Sequence, residues 1–252
     1  MPTVYHWEPN SNSLEVLMAL YEKAIPFESR YVDLLAQEMW REPLAKNTEV
    51  ECNIEIEGPV LVTDKGEALT DSYFINIYLD DAYPQTPLRP ADAEGRWRLN
   101  VWGRWLGEDF APAVNTLGCA KYATPKLKDK NIDALPTQER RDAWRAVQQG
   151  ASEEEIADAR RKIALLLTKA DEALGKSAYL AGDALTLADL TFYAQANALP
   201  KLAPDLLTGA PRTARWLERM RERDSVKKAL THARTPAPDE CFAPGAERSR
   251  WG

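Results

Sequence analysis

The chain has 252 residues, of which 44% are hydrophobic and 28% are charged, so it is long enough to bury a sizeable core shared between two domains. Its formal net charge of −7 argues against the basic surface of a nucleic-acid-binding protein. The few cysteines and histidines have spacings that predict neither a disulfide framework nor a metal site; they are Cys52, Cys119, Cys241, His6 and His232.

The N-terminus, the apolar stretches and the cysteines indicate the cellular compartment of the protein. The N-terminus lacks the basic and apolar regions of a signal peptide. The longest apolar stretches, such as IALLLTKADEAL, are too short and too charged to span a bilayer. Scattered cysteines favour a reducing compartment. We therefore expect a cytoplasmic protein whose partners include neither a membrane nor a nucleic acid.

The N-terminal third alternates between strand and helix patterns. The patterns predict strands over 3–7 and 28–34, helices over 13–24, 36–46 and 71–83, and a hairpin over 59–71. The last helix has Phe74, Ile77 and Tyr78 on one face. Two strands joined through a helix imply a parallel pair, and the hairpin completes a four-stranded mixed sheet. This βαβαββα order predicts a thioredoxin-like domain over residues 1–84.

Beyond a proline-rich linker, the remaining patterns are helical and predict an all-helical domain over residues 85–252. A helix over 96–110 is predicted with an apolar side formed by Trp97, Val101, Trp102, Trp105 and Leu106. One more helix is predicted over 211–231. The last 20 residues have no helical period and are predicted to form a tail.

Two capping boxes mark helix starts in this second part. Ser152 and Glu155 precede an apolar seam that consists of Ile156, Ala159, Ile163, Leu166, Ala170 and Leu174. Thr186 and Asp189 form the second box, in ALTLADLTFYA.

The stretch EPNSNSL places a row of polar side chains between the first strand and the first helix. Ser13 or Asn12 can serve as a helix N-cap there. The same hydroxyls and backbone amides can also hold an anion. Both interpretations stay open, because a cap and an anion site use the same unpaired amides.

Four stretches carry a resemblance to a known family: EGPVL around Pro59, TDS at 70–72, LAGDALTLADLTFYA at 180–194 and PRTARWLERMRERDSVKKAL at 211–230. Together with the two-domain layout, they resemble the glutathione S-transferases over about residues 3–231. The stretches NSLEVLMALYEKAIPFESRYVDL and AWRAVQQGASEEEIADARRKIALLLTKADEAL are similar to the bacterial glutathione-dependent β-etherases, which cleave β-aryl ethers of lignin-derived aromatics.

The resemblance implies glutathione as cosubstrate, with its thiol at the start of the first helix. Ser13 is the implied hydroxyl that holds the thiolate, with Ser11 and Asn12 as reserve donors. Lowering the thiol pKa from about 8.5 to about 6.5 requires roughly 2.7 kcal/mol. A hydrogen bond to a charged acceptor supplies about 1.5–3 kcal/mol, and a helix N-terminus adds roughly 0.3–1 kcal/mol.

The resemblance also implies where the rest of the tripeptide binds. Asp71 and Ser72 would pair with the ammonium and carboxylate of the γ-glutamyl end, unless they form only a helix cap. If the Gly58–Pro59 peptide is the family's cis peptide, Val60 lies beside the cysteinyl backbone.

Aromatic side chains are candidates for a substrate pocket. Trp7, Trp105 and Tyr122 could line it, although core or interface packing is the default interpretation of such residues. His6 is interpreted as a packed strand residue rather than a base, and Cys52 and Cys119 as inert thiols.

The function predicted from the resemblance is a glutathione transferase that cleaves β-aryl ethers. The stretch NTEVECNIEIEG differs from the family's NPxGxV lead-in. Two alternatives therefore remain: a generic transferase that conjugates electrophiles, and a weakly catalytic partner in a heterodimer. We expect a homodimer or heterodimer in which the helix near 91–115 and the third helix meet a second subunit.

Overall fold

A four-stranded mixed sheet forms the N-terminal part of the computed structural model, which describes residues 1–33, 38, 58–122, 129–135 and 138–243. The strands are β1 (Thr3–His6), β2 (Glu28–Tyr31), β3 (Val60–Val62) and β4 (Ala68–Leu69), in the spatial order β2-β1-β3-β4. β1 pairs in parallel with β2, with Val4 opposite Ser29. β3 runs antiparallel to both β1 and β4. The predicted mixed sheet is confirmed.

The described helices are α1 (Ser11–Glu22), α2 (Ser72–Ala82), α3 (Ala93–Trp105), α4 (Ala111–Lys121), α5 (Asp129–Asp133), α6 (Gln138–Gln149), α7 (Glu153–Leu174), α8 (Leu187–Ala196), α9 (Leu199–Leu202), α10 (Pro204–Leu207), α11 (Pro211–Arg221) and α12 (Asp224–Leu230). A π-helical segment, Leu106–Phe110, joins α3 to α4, and a 3₁₀ turn covers Pro238–Glu240. A helical part thus follows the sheet, as predicted. The predicted helix over 36–46 lies outside the described residues, and a domain boundary after residue 84 stays a prediction.

The hairpin between β3 and β4 forms because its turn supplies the residue that the backbone needs. Gly66 has a φ of +86°, which a glycine adopts without steric cost. The Gly66 amide donates to Thr63 O at 2.9 Å, and the Thr63 amide donates to Glu67 O at 2.8 Å. This turn brings Ala68 back opposite Val62.

Proline explains the irregular junction between α3 and α4. Pro112 lacks an amide hydrogen, so the helical ladder cannot continue unbroken through it. Just before it, the Ala111 amide donates to Leu106 O in the wider π register. The single helix predicted over 96–110 is therefore α3 followed by this segment.

The apolar side predicted for that helix is wrong at one residue. Trp97 is 66% exposed, whereas Leu99 and Trp102 are buried. Phe74 on α2 is likewise 55% exposed, while Ile75 is buried. Periodicity finds apolar positions but does not tell which of two apolar faces meets the core.

The single helix predicted over 211–231 is also wrong, because it is broken between α11 and α12. Arg223 has extended backbone angles (φ −65°, ψ 142°) and precedes α12. Its guanidinium donates to both carboxylate oxygens of Glu22 on α1, at 2.8 Å each. A bidentate pair of this kind fixes the α12 end of the helical part against α1.

A buried ion pair joins α1 to α2 within the N-terminal part, and the linker contacts it. Lys23 at the end of α1 donates to Asp80 on α2 at 2.8 Å, and both side chains are almost fully buried. Arg89 of the linker donates to the other Asp80 oxygen at 2.9 Å. Burial opposes ionisation, but the bonds from Lys23, Arg89 and the Leu88 amide, with the charge of Lys23, together outweigh it and lower the pKa of Asp80.

Candidate functional site

The start of α1 is the corner that the sequence singled out, and its geometry is unusual. The helix begins at Ser11, two residues earlier than predicted, so neither Asn12 nor Ser13 is the N-cap. Asn10 occupies that position without a side-chain capping bond. Ser11 has a φ of +45°, a left-handed conformation that is rare and costly outside glycine.

Asn10 does not cap α1 because its side chain is engaged elsewhere. Its Nδ2 donates to Cys241 O at 2.9 Å, and its Oδ1 accepts from Asn197 Nδ2 at 3.0 Å. The amides of the first turn of α1 therefore receive no bond from the Asn10 side chain. Such an open helix start can hold an anion.

Ser13 is the third residue of α1 and is 7% exposed. Its hydroxyl makes no hydrogen bond to any other residue that the structure describes. It thus offers a donor on the first turn, beside amides that no N-cap side chain occupies. This arrangement suits the predicted thiolate contact, which stays a prediction.

Asn12 connects the start of α1 to two other elements. Its Oδ1 accepts from Gln195 Nε2 on α8 at 3.0 Å. A Cβ built on Gly58 would lie 4.0 Å from Asn12 Nδ2, so the residue before Pro59 lies beside this corner. The structure therefore brings the predicted residues of α1 and of the Gly58–Pro59 stretch together.

Val60 continues this side of the site into the sheet. It is fully buried and pairs with Tyr5 across β1 and β3. It belongs to a small apolar cluster with Val32, against which Trp7 and Ala243 pack. Ala243 lies in the C-terminal tail, so the tail reaches this cluster.

Asp71 caps α2. Its Oδ1 accepts from the amides of Tyr73 at 2.9 Å and Phe74 at 3.3 Å. Its φ of +67° is again in the left-handed region. The capping interpretation of this position is therefore correct, and a role toward the γ-glutamyl end stays a prediction.

Ser72 leads to a buried carboxyl group that the sequence reasoning missed. Glu15 of α1 is 1% exposed and accepts from Thr191 Oγ1 at 2.8 Å, Asn76 Nδ2 at 2.9 Å and Ser72 Oγ at 3.3 Å. Burial raises the pKa of Glu15 to about 7, although the bonds from Thr191 and Asn76 lower it. A lone glutamate within the apolar run LEVLMAL was the available signal.

The C-terminal tail closes over this corner, which its sequence did not predict. Phe242 is 2% exposed and stacks on Tyr122 with ring centroids 6.1 Å apart. It lies on Gly118, where an added Cβ would come within 2.4 Å of the ring. The Arg234 amide donates to Glu8 Oε2 at 3.1 Å.

A chain of neutral polar groups anchors the start of this tail. His6 Nδ1 donates to Trp7 O at 2.6 Å, and Ser29 Oγ lies 2.8 Å from both His6 Nε2 and His232 Nδ1. Tyr21 OH lies 2.6 Å from His232 Nε2. Burial lowers the pKa of His6 to about 4, with contributions from His232 and Arg234. His6 is packed, as the sequence interpretation held.

The three predicted pocket aromatics lie in different surroundings. Trp105 contacts Trp102 and has Lys169 Nζ 4.5 Å from its ring centroid. Tyr122 stacks on Phe242, and Trp7 packs near Val60. Within the described part of the chain, no ring contact joins any two of the three, so they are not brought together as one aromatic cluster.

The described residues contain no group of three or more metal-ligating side chains. Across the same residues, no helix combines the length and the apolar character that crossing a membrane demands.

Comparison with known proteins agrees with this architecture. Residues 11–82 match the family model described as glutathione S-transferase, N-terminal domain, and residues 125–224 match glutathione S-transferase, C-terminal domain. The chain belongs to the glutathione S-transferase family. Protein LigF of Sphingobium sp. is 31% identical to this transferase in an alignment of 242 positions that covers 89% of this chain and 91% of LigF.

Solved structures of relatives have the same fold. The crystal structure of the beta-etherase LigF from Sphingobium sp. superposes with a TM-score of 0.82 at 29% identity, covering 92% of this transferase and 99% of LigF. Glutathione transferase F7 from Populus trichocarpa superposes with a TM-score of 0.70 at 22% identity, over 92% of this chain and 98% of its own. The predicted two-part fold is confirmed.

Proposed function

We propose that this transferase uses glutathione to cleave β-aryl ether bonds of lignin-derived aromatics. The observation that carries the proposal is its 31% identity to Protein LigF over 89% of the chain. The matching crystal structure is that of a beta-etherase. The uncapped start of α1, with the Ser13 hydroxyl on its first turn, supports the same reaction.

The proposed step is a displacement at carbon. The glutathione thiolate attacks the carbon next to a ketone, a C–S bond forms, and the ether C–O bond breaks. The aryl oxygen leaves as phenolate and takes a proton from solvent, while glutathione stays attached to the ketone. Ser13 and the amides of Asn12 and Ser13 would hold the thiolate, and the protein would align the reacting atoms.

The rest of glutathione is proposed to extend from this corner. Val60 would lie beside its cysteinyl backbone after Gly58 and Pro59. Ser72 at the start of α2 would take the γ-glutamyl carboxylate, while Asp71 would face the ammonium group. The neighbourhood of Asn12 and Gly58 supports this placement.

The test is phenol release from a β-aryl ether ketone, with and without glutathione. Ser13→Ala is expected to reduce kcat/KM by about 10- to 100-fold, because one hydrogen bond to a thiolate is lost. Ser11→Ala is the paired variant, and a smaller loss there would assign the thiolate contact to Ser13. An unchanged rate in both variants would contradict the assignment of this corner.

A generic conjugating transferase is the second candidate. Glutathione S-transferase F14 of Arabidopsis thaliana is 28% identical over 85% of this chain and 77% of its own length. Turnover of a halogenated aromatic without any phenol release from the ether ketone would favour this alternative. Absence of glutathione binding by the purified chain would instead favour a non-catalytic partner in a heterodimer.

We also propose that the protein forms a dimer through α2 and α3, with a second copy or a related subunit. Phe74, Tyr78 and Trp97 are exposed on these two helices. Tyr73 OH donates to Asn100 Oδ1 at 3.3 Å and so links them. Sedimentation of the wild type and of Phe74→Glu checks this: the wild type should sediment as a dimer and the variant as a monomer. A monomeric wild type would leave only the heterodimer.

The cytoplasmic location stays a prediction.

A further inference from the structure

Glu15 is the buried carboxyl group whose role the proposed reaction leaves open. It lies two residues after Ser13 on α1, and its partners come from α2 and α8. No lysine or arginine among the described residues forms an ion pair with it. A carboxyl group without a cation in such a place is costly when ionised.

The three bonds to Glu15 differ in length and therefore in strength. Thr191 and Asn76 both donate to Oε1, at 2.8 Å and 2.9 Å. Ser72 donates to Oε2 at 3.3 Å, which is long for a hydroxyl donor. The Ser72 bond is thus the one that a ligand can replace at least cost.

The surroundings of Glu15 accommodate a proton without moving a heavy atom. The Thr191 hydroxyl lies 2.8 Å from Glu15 Oε1 and 3.0 Å from Leu187 O. When Glu15 is ionised, Thr191 donates to it. When Glu15 is neutral, its own hydroxyl can donate to Thr191, which then donates to Leu187 O.

We propose that Glu15 is a positioning residue for the γ-glutamyl end of glutathione, which takes up a proton when the tripeptide binds so that the Ser72 hydroxyl turns from Glu15 to the ligand carboxylate. This inference rests on the proposed glutathione site at Ser72. The proton comes from solvent and is returned when the ligand leaves. No covalent bond other than this O–H bond changes.

Glu15 takes up a proton because the Ser72 hydroxyl has only one hydrogen to donate. While Glu15 is ionised, its Oε2 competes with the ligand carboxylate for that hydrogen. Two carboxylates sharing one hydroxyl also repel each other. Neutralising Glu15 removes both effects, so the ligand binds the protonated form more tightly.

Other titratable groups lie near Glu15, and the experiment must separate their titration from that of Glu15. Asp71 and Tyr73 belong to the α2 segment, and the charge of Asp71 raises the pKa of Glu15 further. On α8, the Asp189 carboxyl group is bonded to Leu180 and Thr186 rather than to Glu15. Burial raises the pKa of Asp189 to about 6, so a variant at Glu15 itself is needed to separate the two groups.

The experiment is calorimetric titration with S-methylglutathione, whose blocked thiol removes thiolate formation from the proton balance. Titrations in buffers of different ionisation enthalpy give the number of protons taken up. The wild type is expected to take up about half a proton near pH 7, and its Kd to rise about three- to tenfold between about pH 6 and about pH 8.

Three variants make the result specific. In Glu15→Gln, proton uptake should vanish and Kd should change less than about twofold over the same range. In Thr191→Val, which loses a donor to the ionised form, the pH dependence should move upward by about one pH unit. Glu22→Gln, on the same helix but bonded to Arg223 and Ser225, should keep the wild-type profile.

Each outcome decides the matter. Uptake that persists in Glu15→Gln, or a wild type without pH dependence, overturns the inference. A wild type that does not bind S-methylglutathione overturns both the inference and the proposed glutathione site. Proton-linked binding that depends on Glu15, in a protein that releases no phenol, supports the inference while the proposed reaction fails. If Glu15→Gln does not fold, the upward move in Thr191→Val decides.

Discussion

The starts of α1 and α8 are built in opposite ways, although the two helices pack against each other. At α8, the Asp189 carboxylate accepts from the Thr186 amide, the Thr186 hydroxyl and the Leu180 amide, each at 2.9 Å. At α1, the N-cap side chain points to the tail and Ser11 is in a left-handed conformation.

The difference separates a structural helix start from one available for function. All ten residues of α8 are buried, so its amides need partners from within the protein. The first turn of α1 has no side-chain cap, and Ser11 at its start has a strained, left-handed backbone conformation. A helix start that is open in this way is fit to bind an anion.

Breaking the α8 start should have the largest effect on stability. Asp189→Ala leaves the amides of Thr186 and Leu180 buried without partners, so we expect a loss of about 3–5 kcal/mol in unfolding free energy. Glu155→Ala in the exposed capping box of α7 is the control, with an expected loss of about 1 kcal/mol. Urea unfolding measures both. Equal losses would show that burial of the box does not matter.

Acid should lower the unfolding free energy of the protein through His6 of β1, which lies next to the α1 corner. The folded-state pKa of about 4 lies below the usual 6.5, so below pH 6.5 the unfolded chain takes up a proton that the folded protein does not. Stability should fall by about 1.4 kcal/mol per pH unit, reaching about 3 kcal/mol near pH 4.

The check is the pH dependence of urea unfolding in the wild type and in His6→Gln. In His6→Gln, the part of the slope of unfolding free energy against pH that comes from His6 should disappear. Burial also lowers the pKa of His232, so a smaller slope from His232 should remain. Identical slopes in both proteins would remove His6 as the cause.

Displacing the tail from the α1 corner should have an intermediate effect. Gly118→Ala forces the Phe242 ring to move, and we expect a loss of about 1–3 kcal/mol and faster proteolysis after residue 233. Gly107→Ala is the control, because an added Cβ there meets no atom within 4 Å. A tail that is cleaved equally in both variants would contradict the docking of Phe242 on Gly118.

The smallest effect on stability is expected at the residue with the proposed catalytic role. Ser13→Ala removes a hydroxyl without a partner among the described residues, so the unfolding free energy should change by less than about 0.5 kcal/mol. Thermal and urea unfolding check this alongside the rate. A loss above about 1 kcal/mol would mean that Ser13 supports the fold, and the contrast with Asp189 would disappear.

Local patterns predicted what depends on neighbours in the chain. Both capping boxes are confirmed, since a box needs residues only three positions apart. The hairpin at Gly66 follows from turn chemistry and alternation, and the parallel pair of β1 and β2 from the helix that joins them. The helix faces at Phe74 and Trp97 could not be assigned, because apolar residues on an exposed face look the same in sequence as those in the core.

The site shows the same limit. Sequence indicated the corner at residues 11–13, but the residues that shape it come from far along the chain: Asn10 bonds to Cys241, and Glu15 to Thr191, across 231 and 176 positions. The sequence by itself determined the mixed sheet, the two capping boxes and the family. Only the tertiary structure decided which buried polar groups meet, because such pairs form when packing removes water from groups that no local pattern connects.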